Sequence, residues 1–103
     1  MIEPEDVHCP ACGHAYGPAQ VLAACTVSWP NQRWLLFTCP GCGKAAHVEV
    51  SDGALAIGDI DGAPGPAFFP AQTVSVVGLG VVASGKGIAV TLDGKRRFVP
   101  ARR

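Results

Sequence analysis

Four cysteines carry the clearest chemistry in the chain. They sit in two matching hexapeptides, Cys9-Pro10-Ala11-Cys12-Gly13-His14 and Cys39-Pro40-Gly41-Cys42-Gly43-Lys44. Within each, the Cys-x-x-Cys spacing lets one tight turn offer both sulfurs to the same ion, and thiolates are ligands that a tetrahedral Zn²⁺ takes at about 2.3 Å. Two such pairs complete one coordination sphere. Pro10 and Pro40 fix the backbone angle entering each turn, and Gly13 and Gly43 permit positive φ, so that backbone N–H groups can aim at the sulfurs. The pattern predicts one structural Zn²⁺ on Cys9, Cys12, Cys39 and Cys42, with Gly13, His14, Gly43 and Lys44 supporting the ligands from outside. Four thiolates leave no open position for water, which argues against catalysis at the metal.

No other group forms a reactive constellation. Cys25 matches neither pair and reads as a buried strand residue. His8 and His14 flank the first cysteine pair, and His47 falls on a strand pattern; none has a nucleophile partner, so neither a protease nor a hydrolase arrangement is expected. The expectation is a protein that is not an enzyme and takes no small-molecule substrate.

The elements that must position the cysteines are short. Thirteen Gly and nine Pro among 103 residues leave no window for a long helix, and although 49% of residues are hydrophobic, Ala and Val dominate that share. The composition predicts a small all-β chain of one domain, or one and a half, with a thin core for which a metal staple matters. After an acidic lead-in over residues 1–6, order is expected from Val7. Ala15 to Gln20, with Gly17-Pro18, reads as a loop, and Ala23–Trp29 and Arg33–Thr38 read as strands, the second feeding Cys39. Ala45–Ser51 alternates apolar and polar residues, Asp52-Gly53 is a tight turn, and Ala54–Ile60 returns as the second strand of a hairpin. Residues 61–71, rich in Gly and Pro, read as a linker or docked segment, with Phe68 and Phe69 held against a surface. Thr73–Ala83, Ile88–Leu92 and Arg96–Pro100, joined by turns at Ser84-Gly85-Lys86-Gly87 and Asp93-Gly94, then make a β-meander over residues 72–100.

Residues 7–60 resemble a zinc ribbon, in which two CPxCG-type knuckles clamp a metal at the end of a small antiparallel sheet. The resemblance implies a four-cysteine ribbon and a zinc ion; such ribbons occur in transcription, translation, ribosome and virion components as docking modules. The knuckles are also similar to those of rubredoxins, which hold iron and carry single electrons. After Gly13 the chain departs from that pattern, with His14-Ala15-Tyr16-Gly17-Pro18 in place of an aromatic and acidic run, so zinc is expected over iron.

Net charge is zero but unevenly spread. Residues 1–70 carry seven acids against Arg33 and Lys44, a balance of −5, while residues 71–103 carry six bases against Asp93, a balance of +5. Five of those bases, Lys95, Arg96, Arg97, Arg102 and Arg103, surround Phe98 in a C-terminal tail. Three readings of the tail stand: a solvated strand end, phosphate contacts, or pairing with an acidic surface on another subunit. Charge is absent from Gly62 to Gly85, but Pro70, Gln72, Thr73, Ser75, Gly78 and Gly80 interrupt that stretch, and its dense apolar part falls short of the roughly 18 residues that argue for a membrane span. An odd cysteine count without an export signal points to the cytoplasm or another reducing compartment.

The expectation for function is a structural or docking protein, a zinc-stapled subunit of a larger assembly that binds a protein partner or itself. Its Ala/Gly/Val/Arg-rich flavour suits a bacterial or phage protein, including a virion or capsid-associated component. The alternative is a nucleic-acid-binding accessory protein that uses the basic tail, with Trp29, Trp34 and Lys44 adding contacts where exposed.

Overall fold

The computed structural model describes residues 6–61 and 67–101. Two short strands, β1 (Val7–His8) and β2 (Ala15–Tyr16), pair antiparallel around the first cysteine turn. A one-and-a-half-turn helix, α1 (Pro18–Ala23), leads into β3 (Cys25–Trp29) and β4 (Trp34–Thr38). The second cysteine turn joins β4 to β5 (Ala45–Ser51), followed by β6 (Ala54–Asp61) and β7 (Ala67–Ser75). These form a five-stranded antiparallel sheet in the order β3-β4-β5-β6-β7. The expected meander follows as β8 (Gly80–Ser84), β9 (Gly87–Leu92) and β10 (Lys95–Pro100), a three-stranded antiparallel sheet that is the second of the two larger sheets. The fold is all-β apart from the short helix.

The alternation read in Ala45–Ser51 is the key to the core. Val48 lies between Leu35 and Ile57 across three strands, and Val50 pairs with Leu55, which pairs in turn with Val74. All are buried, and their cluster continues into Ile88, Val90 and Val99 of the meander. Both sheets thus share one hydrophobic cluster. Polar ties reinforce it: Arg97 donates from its guanidinium to the Cys25 carbonyl at 3.0 Å, and Ala101 makes a parallel bridge to Ser28.

Three segments differ from the sequence reading. The loop expected over Ala15 to Gln20 is replaced by β2 and α1, and the strand expected from Ala23 begins at Cys25. Pro18 occupies the start of the helix, where its fixed φ is an advantage, and the Gln20 side chain accepts the Gly17 N–H at 2.8 Å. Burial of Val21 and Leu22 supplies the tertiary contact that so short a helix needs.

Second, the strand expected over Thr73–Ala83 is broken. Residues 73–75 end β7, and a turn ties the chain back to the β5–β6 hairpin, with Gly53 N–H donating to the Leu79 carbonyl and Val76 N–H to the Gly53 carbonyl, both at 2.9 Å. Asp52 then accepts the Val81 N–H at 2.9 Å, which starts β8. An apolar run cannot reveal a break that is fixed by partners some 25 residues away.

Third, the described part of the 61–71 segment is strand: Asp61 closes β6 and Ala67–Ala71 open β7, while residues 62–66 lie outside the described residues. Pro70 is accommodated because β7 is an edge strand. A bulge between Ile57 and Gly58 brings the strands so close that a Cβ at Gly58 would stand 2.8 Å from Pro70 Cα. Only glycine fits there. Phe68 is half-buried with its ring 6.2 Å from that of Trp34, whereas Phe69 is exposed.

Candidate metal centre

The two hexapeptides fold into the same backbone loop. In the first, Gly13 N–H donates to the Cys9 carbonyl at 2.8 Å and Cys9 N–H to the His14 carbonyl at 3.0 Å; in the second, Gly43 donates to Cys39 at 2.9 Å and Cys39 to Lys44 at 3.0 Å. His14 and Lys44 therefore support the ligands through their carbonyls. Gly13 and Gly43 have φ of 78° and 75°, and no atom lies within 4 Å of where a Cβ would stand. Conformation, not space, selects glycine here.

These loops bring Cys9, Cys12, Cys39 and Cys42 together, with all four Sγ atoms within 4.8 Å of one another. Across the loops, Cys9 Sγ lies 3.8 Å from Cys42 Sγ and Cys12 Sγ 3.7 Å from Cys39 Sγ. A regular tetrahedron with ligands at about 2.3 Å has an edge of about 3.8 Å, so these two cross-loop pairs already stand at the spacing that a thiolate-bound metal requires. No pair is bonded as a disulfide. Cys9 and Cys39 are buried while Cys12 and Cys42 are exposed, so the cluster sits at the rim of the fold.

Sequence reasoning missed Tyr16. It occupies the position after the first loop that Ala46 occupies after the second, and its ring packs 4.6 Å from that of His14 and 5.8 Å from that of Phe37. Its hydroxyl accepts the Gly41 N–H at 3.2 Å and shares a 3.0 Å hydrogen bond with Cys39 Sγ, with its own proton free to point at the sulfur. That hydrogen bond, first among the causes, holds the Cys39 thiol down at about 6 and pushes the Tyr16 phenol up to about 12. β2 turns Ala15 outward and Tyr16 inward, but a two-residue strand shows no such alternation in the sequence. Gln72 was also missed: its side-chain amide accepts the His8 N–H at 2.8 Å and donates to the Asp6 carbonyl at 2.7 Å, fastening β1 to β7.

The remaining candidate residues are dispersed. Lys95 and Arg96 are exposed on β10, Arg97 is committed to the Cys25 carbonyl, and Arg102 and Arg103 lie outside the described residues. Trp34 is buried, with its indole N–H 3.3 Å from Glu49, so the contact foreseen for it where exposed does not arise. Trp29 is half-buried, its ring 5.3 Å from that of His47. Between α1 and the meander runs a shallow groove of about 200 Å³, floored by Leu22, Val90 and Leu92 and edged by Lys95 and Arg97. Among the described residues no helix is long and apolar enough to cross a membrane.

Fold and site define an all-β protein with a four-cysteine cluster at metal-binding distance. Neither a protein-family model, nor a curated protein, nor a solved structure matches the chain.

Proposed function

We propose that the chain is a non-enzymatic structural or docking protein, a small subunit of a larger assembly, in which one Zn²⁺ staples together the two cysteine loops of a zinc-ribbon-like half. Thiolate donors at tetrahedral spacing suit zinc, and four of them fill its preferred coordination number, a closed arrangement typical of structural sites. The reading requires a setting that keeps the thiols reduced.

The observation that carries the docking role is a row of apolar residues across the meander. The register sets Val82 beside Ala89 and Ala89 beside Phe98, which puts the three on one face. Val82 is 66% and Phe98 51% exposed. A strand face that turns Val and Phe to solvent is the kind of surface that protein association covers. The test compares the intact protein with a Val82→Lys/Phe98→Lys variant by light scattering and by pull-down from the native source. Self-association or a stoichiometric protein partner that the variant loses is expected. A wild-type protein that stays monomeric and captures nothing would overturn the reading.

A second reading rests on Arg96 and Phe98, two residues apart on β10 and hence on one face, both exposed. A base beside an aromatic suits single-stranded nucleic acid. Fluorescence titration with single- and double-stranded DNA and RNA at two salt concentrations tests it: affinity that falls with salt is expected, and absent or salt-insensitive binding excludes it.

A further inference from the structure

The two loops are built alike, but the residues after them differ. Ala45-Ala46 leaves the second loop where Ala15-Tyr16 leaves the first. Ala46 and Tyr16 are both buried, yet only tyrosine is long enough to reach the opposite loop. From β2 its hydroxyl spans to two groups of the second loop at once, the Gly41 N–H at 3.2 Å and Cys39 Sγ at 3.0 Å. The phenol oxygen accepts the Gly41 N–H, which leaves the hydroxyl proton free to be given to the sulfur.

We propose that Tyr16 is a positioning residue that latches the first loop to the second independently of any metal, and so holds Cys39 in place before an ion arrives. This rests in part on the proposed metal site but makes a claim that does not need it. Without an ion the sulfur cluster joins the loops only through weak Sγ–Sγ contacts of 3.8 and 3.7 Å. The Tyr16 bridge joins them through the protein alone, and its ring is fixed by His14 on one side and Phe37 on the other. A hydrogen bond to one sulfur also makes the four ligands unequal, with Cys39 the buried and hydrogen-bonded donor and Cys12 and Cys42 the open ones. Partners that orient a ligand in this way typically contribute 10- to 100-fold to metal affinity.

The test uses Tyr16→Phe, which keeps the ring and removes only the hydroxyl, and Tyr16→Leu, which removes the ring contacts as well. Two measurements separate the latch from the metal. In the metal-free, reduced protein, the Gly41 amide should exchange with solvent about 10-fold more slowly in wild type than in Tyr16→Phe, the order expected if the bridge is closed most of the time. In titrations with Co²⁺ as the probe, Tyr16→Phe should bind 10- to 100-fold more weakly than wild type, with a shifted sulfur-to-cobalt charge-transfer band. Tyr16→Leu should lose at least as much on both counts.

Equal Gly41 exchange in wild type and Tyr16→Phe overturns the latch, whatever the metal result. Slow wild-type exchange without Co²⁺ binding by wild type supports the latch and overturns the metal reading. Equal Co²⁺ affinity and spectra in the two proteins overturn the claim that the latch positions Cys39.

Discussion

The Ser28 hydroxyl on β3 donates a 2.9 Å hydrogen bond to the carbonyl of Val99 on β10, joining two fully shielded residues 71 positions apart in sequence. Ser28 is the buried polar side chain at the seam between the two sheets, and its bond goes from one sheet to the other. Ser28→Ala should cost about 1–3 kcal/mol, because it withdraws a donor from a carbonyl that water cannot reach. Urea denaturation of the two proteins measures this. A loss below about 0.5 kcal/mol would mean that the sheets meet through apolar contact alone.

Gly58 makes the complementary case, a position governed by space. A Cβ there runs into the β7 backbone at Phe69, Pro70 and Ala71, none of which can yield like the end of a flexible side chain. Gly58→Ala should therefore destabilise by about 2–3 kcal/mol through overpacking. The cysteine loops lie in other segments, so the Co²⁺ spectrum of the folded variant should match that of wild type. Thermal unfolding and absorbance together check both halves of the expectation.

The parts of the fold that were legible in the sequence are those fixed by near neighbours. Ala45–Ser51 shows its alternation, Asp52-Gly53 and Asp93-Gly94 their turn chemistry, and the four cysteines their spacing. Asp93 and Gly94 both have positive φ, as that hairpin turn demands. What stayed hidden was set by distant partners. Val76–Leu79 is apolar enough to continue a strand, and it turns because Gly53 supplies its hydrogen bonds. Ala67–Ala71 carries the punctuation of a linker and becomes strand because Gly58 lets β6 approach it. At the site, the ligands could be read from spacing alone, but Tyr16 could not: its role depends on a second loop that begins 23 residues later and folds beside it.

Cys25 sets a pH dependence separate from the cluster. It is fully buried at the start of β3, donates to the Val21 carbonyl at 3.2 Å, and burial pushes its thiol from 9.0 up to about 12, with Arg97 opposing. The unfolded chain releases this proton near 9 and the folded chain only near 12. The contribution to stability is therefore full below pH 9 and declines as pH rises from about 9 toward 12. Cys25→Ala should lower stability at neutral pH by leaving a small cavity, and should lose less than wild type between pH 9 and 11. Guanidinium melts across that range give the comparison; parallel declines in the two proteins would remove Cys25 as the cause.

Arg33 offers a stabilising change. It is exposed, follows the turn after β3 and has φ of 59°, a left-handed conformation that costs a residue bearing a Cβ roughly 1–2 kcal/mol. Its backbone is held there because its carbonyl accepts the Val50 N–H at 3.0 Å. Arg33→Gly removes the strain but gives the unfolded chain more freedom, so the net gain should be about 0.5–1 kcal/mol. A fall in the unfolding midpoint would mean that the arginine side chain stabilises the turn by more than the strain it imposes.

The matched loops allow a stricter comparison. Gly13 and Gly43 have φ values within 3° of each other, close the same hydrogen bond to the first cysteine of their loop, and leave open space where a Cβ would go. Alanine at either position meets no atom, so any loss comes from backbone conformation, about 1–2 kcal/mol in each case. Gly13→Ala and Gly43→Ala should thus weaken Co²⁺ binding to similar extents, and Gly→Asn at the same positions should recover part of the loss, because asparagine tolerates left-handed backbone better than alanine. Unequal losses would overturn that expectation. The second loop is held by Tyr16 as well as by its own turn, so a milder Gly43→Ala that Tyr16→Phe brings level with Gly13→Ala would trace the inequality to that bridge, whereas an inequality that persists would place it in the different strands the two loops join.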